Sequence, residues 1–462
     1  MNPLGNTRLS RICVALEILV LTAVLVLALN QSTCSCTIAV VSAHANADGR
    51  PILWKNSDIS NYWHQQVKYF AGNNSNVGGY YILYNDSNSL LAQKPSINPQ
   101  AGANQAGFAL AVAPVTDSNL LNESVNYNTR LLHEAIANCT SIIDFEQFLE
   151  TWSEQHYQYA ISANYAAIDA QGGAALFEVH KSSKYSSGSV LQYKKFDANT
   201  GQVTDHRGQE ISPPQEVFRG FHVRSNANSF FPNNPEDERN LRAQELLASL
   251  ACPAGGTNKL TSRNVMHLIS KDVNGKQPAN GSDFNYNTTY CISRSQTRSG
   301  IVVEGVPAGG DQRLTVFWAA LGEPSISVYV PTIVGAEDVS LYLYQDSLDS
   351  ESDQSDLSIL NTLEDERETY NKLLYSSNRG NTFLGPHDYT INKNELAQVQ
   401  EWTFAIEDNV VDRTEDYLAL LRQNPEHINK DDLRNFQNYC AWYIYKNYAA
   451  GSAEATLWEY EW

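Results

Sequence analysis

Between Cys36 and Asp58 the chain reads CTIAVVSAHANADGRPILWKNSD, two apolar runs (Cys36–Ser42 and Ile52–Asp58) joined by a polar loop that contains Asp48-Gly49. Two such runs around an Asp-Gly pair form a strong β-hairpin signal, because glycine takes the positive φ a tight reversal needs. If Ser42 faces Ile52, Asp58 falls opposite Cys36, and a thiol and a carboxylate stand roughly 5 Å apart at the backbone. Lys55 adds a cation to the same neighbourhood. Its offset of three from Asp58 puts the two on opposite faces of a regular strand. Both then reach Cys36 only where a bulge or the strand end re-aims one of them. Packing alone also accounts for a cysteine here, since a free thiol is a good small core residue.

Cys36-Thr37 followed by Lys55-Asn56-Ser57-Asp58 resembles the N-terminal-nucleophile (Ntn) hydrolases. The closer resemblance is to the linear amide C–N hydrolases, the choloylglycine hydrolases and penicillin acyltransferase-like cysteine peptidases. These open on Cys-Thr or Cys-x and continue to Arg-Asn-x-Asp. Lysine in place of that arginine keeps the charge and loses the planar two-pronged donor. Further elements follow in order as far as Pro331. Gly102–Val112, GANQAGFALAV, is a tight turn into a buried strand, similar to the family's Gly-x-Asn-Glu-x-Gly-Leu. The family strand ends in a catalytic asparagine; the matching place here is Ala113-Pro114, so that contact is missing or supplied from elsewhere. AAIDAQGGAALFEV resembles the family's Asp-Ala-x-Gly hairpin, and a structural role suffices for its Asp169 and Glu178. Asn226 stands where a Thr-Asn pair is found, Glu238-Arg239-Asn240-Leu241-Arg242-Ala243 is similar to Ser-Arg-x-x-Arg-Ala, and LTVFWAALGEPSISVYVP looks like the close of the second sheet.

The resemblance implies an α+β protein, a four-layer αββα sandwich of two mostly antiparallel sheets, with additional C-terminal helices. It implies a nucleophilic Cys36 with a free α-amine, an amine-orienting Asp58, and Asn226 in the oxyanion hole. Lys55, Asn56 and Arg239 would contact substrate. An α-amine of pKa about 8 beside a thiol of pKa about 8.5 can accept the thiol proton at modest cost. The activity implied is cleavage of a small-molecule amide C–N bond through a thioester, with no metal and no cofactor. Two other readings use the same residues: an acyltransferase in which an amine receives the acyl group, and an inactive, membrane-anchored binding protein.

The remaining sequence bounds these expectations. The chain of 462 residues holds 51 acidic and 32 basic side chains, a formal charge of −19, which disfavours nucleic acid and anionic membranes as partners. No cysteine or histidine cluster has zinc-site spacing. Arg8 and Arg11 precede an apolar run from Ile12 to Leu29, on the border between a signal peptide and a membrane anchor. Small residues Thr33 and Ser35 suit cleavage just before Cys36, so residues 1–35 are read as a signal or propeptide of an exported, extracytoplasmic protein. Anchoring by residues 12–29 is the alternative. Export permits disulfides, and Cys139, Cys252, Cys291 and Cys440 allow three pairings that the sequence does not choose among. Residues 36–335 would form the hydrolase domain. Residues 336–462 would supply an acidic loop at Ser347–Asp356 and helices at Leu357–Tyr375, Glu395–Gln423 and Asp431–Ala449, packed on the same domain; a homo-oligomer is compatible with all of this. Helices are further predicted at Thr129–Ala137, Ile142–Glu150 and from Glu238 to about Leu250. Strands are predicted at Tyr165–Asp169, Ala174–Val179, Tyr290–Arg294, Gly300–Glu304, Leu314–Leu321 and Ser325–Val330.

Overall fold

The hairpin forms, and it lies at the centre of a sheet. The computed structural model describes residues 36–58, 64–72, 77–86, 98–115, 127–156, 159–181, 191–212, 219–231, 238–251, 258, 260–275, 285–288, 291–294, 296–340, 343 and 390–453. The export segment, the acidic loop, the helix expected at Leu357–Tyr375 and Cys252 lie outside the described residues.

The strands are β1 Thr37–Val41, β2 Ile52–Asp58, β3 His64–Phe70, β4 Tyr80–Asp86, β5 Asn98–Asn104, β6 Ala109–Pro114, β7 Ile161–Ile168 and β8 Ala174–Lys181. There follow β9 Gln192–Asp197, β10 Val203–Asp205, β11 Phe221–Arg224, β12 Asn285–Asn287, β13 Thr297–Glu304, β14 Val316–Leu321, β15 Val330–Ile333 and β16 Thr390–Asn392. The helices are α1 Asn128–Asn138, α2 Ile142–Gln155, α3 Glu238–Ala251, α4 Lys393–Gln423 and α5 Lys430–Ala450. A π-helical turn, Val265–Ser270, follows a single α-turn at Ser262–Asn264.

Six strands form one sheet in the order β11-β1-β2-β13-β14-β15, and eight form the other in the order β10-β9-β8-β7-β6-β5-β4-β3. All pairings in both are antiparallel. The sheets face each other, with β1 and β2 against β6 and β7. Every residue of β1 and β2 is buried, as a strand covered on both faces requires. Apolar side chains on one stripe of α1 and α2, among them Leu131, Ile136, Phe145, Leu149 and Trp152, cover the outer face of the eight-stranded sheet; a fully buried Leu, Ile or Phe contributes roughly 1.5–3 kcal/mol. On the far side α3 lies along β11 and α5 along β15, within one continuous core that also takes Ile406, Val410 and Leu418 from α4. The molecule is thus an α+β sandwich of two antiparallel sheets between helical layers, as expected.

Two expected strands require correction. The strand predicted at Ser325–Val330 is a turn followed by an irregular segment, and β15 starts only at Val330. Glu323 caps that turn, accepting from Ser325 Oγ at 2.8 Å and from the Ser327 amide through its carbonyl. The segment expected as a strand at Tyr290–Arg294 is a series of bends over its described residues, 291–294. Of the cysteines that export would permit to pair, Cys139, Cys291 and Cys440 are buried and form no disulfide; burial pushes the Cys291 thiol up to about 12 and the other two higher still.

Candidate active site

The hairpin register decides which side chains can meet. Thr37 pairs with Asn56 and Val41 with Ile52, so the ladder runs one residue out of the expected register, and its continuation brings Ser57 rather than Asp58 level with Cys36. The cause is Ser42. Its amide donates to the Gly220 carbonyl (2.7 Å), while its own carbonyl accepts from the Ala45 and Asn46 amides. Ser42 therefore starts the turn and does not close the hairpin. A one-residue slip exchanges the two faces of a strand, so the difference matters for every side chain of β2.

One face of β2 looks at the other sheet. Lys55 is on it, fully buried, and its ammonium donates to the Val112 carbonyl of β6 at 2.6 Å. Alternation along β1 places Cys36 on the face of Ile38, the partner of Lys55 in the ladder. The thiol and the ammonium therefore share the space between the sheets. Cys36 is also fully buried.

The opposite face carries Trp54, Asn56 and Asp58. Asn56 donates through Nδ2 to the carbonyls of Ser270 (2.8 Å) and Ile292 (3.2 Å). Its Oδ1 accepts from Trp54 Nε1 (3.0 Å) and Ser270 Oγ (2.6 Å). Both protons and both lone-pair directions of this amide are thereby used internally. Asn56, expected to contact substrate, instead ties β2 to the π-helical turn. The join is tight: Gly300 pairs with Asn56 across the β2–β13 ladder, and a Cβ at Gly300 would come within 2.0 Å of Tyr329 Oη and 2.8 Å of Ser270 Oγ.

Asp58 ends the strand beside an irregularity in β13 between Thr297 and Ser299. Its Oδ2 accepts from Arg239 Nη1 (2.9 Å) and Arg294 Nε (2.7 Å), and its Oδ1 from Thr297 Oγ1 (2.6 Å). Arg294 is the partner that sequence reasoning missed, because the stretch around it reads as an ordinary strand. Arg239, in the first turn of α3, is buried, and its Nη2 reaches Asn226 Oδ1 at 3.3 Å. Asn226 follows β11 and donates from Nδ2 to the Pro114 carbonyl at 2.5 Å. One guanidinium thus joins Asp58 to Asn226. A guanidinium donating to Oδ1 draws electron density from the amide and strengthens its N–H groups as donors.

The structure accordingly divides the expected residues. Asp58, Arg239 and Asn226 form one connected group; Lys55 shares a face with Cys36 on the other side of β2; Asn56 belongs to the scaffold. Asp169 is structural as well, accepting from the Gln171 and Gly173 amides in the β7–β8 turn and from the Ile142 amide at the start of α2. Two cavities lined by described residues lie elsewhere. One, of about 540 Å³, is bounded by Gly78, Gln105, Thr140, Gln171 and Gln312. The other, of about 620 Å³, lies between the 306–314 segment and the end of α4.

No protein-family model and no curated protein matches the chain. Among solved structures it is similar to two variants of the conjugated bile acid hydrolase of Clostridium perfringens, at 12% and 13% identity with TM-scores of 0.31 and 0.32. Both alignments cover 62% of this chain and 89% of the other.

Proposed function

We propose that the protein is an amide C–N hydrolase whose nucleophile is the Cys36 thiol and whose base is the Cys36 α-amine, freed by removal of residues 1–35. The observation that carries the reading is the guanidinium of Arg239. It bonds Asp58 and Asn226 together, although the three come from distant segments and each was singled out on a different motif. In this reading the α-amine takes the thiol proton, and the Lys55 ammonium on the same face favours the thiolate. The thiolate attacks the amide carbonyl carbon, and Asn226 Nδ2, held by Arg239, stabilises the oxyanion. The Cys36 ammonium then protonates the nitrogen, the C–N bond breaks and the amine departs, leaving an acyl thioester. Water adds to the thioester carbonyl with its proton passing to the α-amine, the C–S bond breaks to release the carboxylic acid, and the Cys36 thiolate recovers the proton from the α-ammonium. Asp58 works through the two arginines it binds, holding Arg239 against Asn226. The apolar run Ile12–Leu29 would serve as the export signal, which places the mature enzyme outside the cytoplasm.

The test is a panel of N-acyl amides offered to protein that begins at Cys36, with amine release as the readout. Release that disappears in Cys36→Ala supports the reading. Release at the wild-type rate by Cys36→Ala, or by a protein still carrying residues 1–35, overturns it.

A further inference from the structure

The six-residue segment Arg224–Ser229, which carries Asn226, is gripped by two side chains of the facing sheet. Asn164 in β7 and Glu178 in β8 are register partners, and both are fully buried. Asn164 Nδ2 donates to the Ser225 carbonyl at 2.8 Å and to the Ala227 carbonyl at 2.9 Å, one on either side of Asn226. Glu178 holds the ends of the segment. Its Oε1 accepts from Arg224 Nε at 2.6 Å, and its Oε2 accepts from the Ser229 amide at 3.0 Å and from the Ser229 hydroxyl. Lys194 of β9 adds a bond to Ser229 Oγ at 2.6 Å. The carbonyl that receives Asn226 Nδ2 belongs to Pro114, which pairs with Ala163, the residue before Asn164.

We propose that Asn164 and Glu178 are positioning residues that fix the Asn226 amide for catalysis from the opposite sheet. A buried carboxylate and a buried amide must find partners in any core. Here, however, the hydrogen bonds they make to side chains and loop backbone converge on one short segment. Two bonds from a single amide to carbonyls two residues apart fix the peptide planes on both sides of Asn226. The direction of the donors is unambiguous, because both acceptors are carbonyls and only Nδ2 can donate to them. Among the described residues Asn164 Oδ1 has no hydrogen-bond partner, so the amide is oriented by its grip on the loop. A loop asparagine held this way meets the requirement for an oxyanion donor, which must be in place before charge develops.

This rests on the reading of Asn226 as the oxyanion donor, and the experiment separates the two. Asn164→Leu keeps the side-chain volume and removes both loop bonds. In the mature protein it should lower kcat by about 10²-fold with KM nearly unchanged, as a misplaced catalytic group does. The Cys36 alkylation rate should stay at its wild-type value, and amide hydrogen exchange over residues 225–229 should accelerate. Ser229→Ala removes the hydroxyl and leaves the Ser229 amide bonded to Glu178; it is safe for folding and should lower kcat by about 3- to 10-fold. The proposal fails if exchange over 225–229 and kcat match wild type in Ser229→Ala and in folded Asn164→Leu, or if KM alone changes. Absence of amide hydrolysis in wild type would overturn the catalytic reading of Asn226, and hydrogen exchange would then decide the clamp by itself.

Discussion

Asp58 is one carboxylate shared by two guanidiniums, and its replacement separates charge from shape. Asp58→Asn removes the carboxylate that Arg239 and Arg294 both bind in a buried site, and breaking a buried pair in this way removes about 3–5 kcal/mol. Activity should vanish and the melting temperature fall together; full activity with an unchanged melting temperature would take Asp58 out of the account. Asn226→Ala should behave differently, lowering kcat by ~10²–10³ while KM and stability hold. A rise in KM alone would make Asn226 a ground-state binder. Lys55 is completely buried against β6, so charge is not its only constraint: Lys55→Arg overpacks the space between the sheets and should destabilise by about 1–3 kcal/mol, which thermal melting can measure. At this scale three of the residues that the sequence singles out prove to be hydrogen-bonded to one another. Asp58, Asn226 and Arg239 each sit in a short local pattern, and patterns survive without knowledge of the fold. The hairpin register did not, because Ser42 turns its carbonyl into the loop towards the Ala45 and Asn46 amides, and nothing in the apolar pattern marks where the ladder stops. Arg294 and the internal hydrogen bonds of Asn56 were hidden as well, their partners being set by tertiary packing.

The C-terminal helix α4 is fastened to the core by buried charges, and these make its docking dependent on pH. Glu407 accepts from Lys271 Nζ (3.0 Å) and the Tyr329 amide (2.8 Å) and lies 2.8 Å from His267 Nε2. Burial alone would raise its pKa, but Lys271 and His267 outweigh burial and hold it at about 2. Its contribution is therefore complete above the ordinary glutamate value of 4.5 and is lost as pH falls towards 2. Glu304 is the reverse. Burial raises it to about 7, since Arg50 is shared with Glu415 of α4 and Asp48 and cannot neutralise all three. That contribution is complete below 4.5 and declines as pH rises through 7, by on the order of 3 kcal/mol. Glu304→Gln should therefore flatten the loss of thermal stability between pH 4.5 and 7. A melting profile identical to wild type over that interval would show that Glu304 does not titrate there. Most helices were legible because an apolar stripe and a cap mark them: Asn392 caps α4 and Asn429 caps α5, and both helices begin within two residues of the expected starts. Short strands were less legible. Ser325–Val330 alternates like a strand but bends around Glu323, and β9, β10 and the π-helical turn carry no comparable local signal.

Taken as a whole, the molecule buries the proposed nucleophile, Cys36, at the opening of a central strand. Cys36 opens β1, between β2 and β11 in the six-stranded sheet, with the eight-stranded sheet facing it. An α-amine at that position requires residues 1–35 to be removed, and the charge of −19 is in keeping with a small amide substrate rather than a polyanion. No helix of the described residues is long and apolar enough to cross a membrane. The most direct measurement is intact-mass and peptide mass spectrometry of the active protein, quenched during turnover of a slow N-acyl amide. The expected result is a chain that begins at Cys36 and carries the acyl group as a thioester on that residue, with no adduct in Cys36→Ala. An active chain that retains residues 1–35, or an acyl group found on another residue, would contradict it.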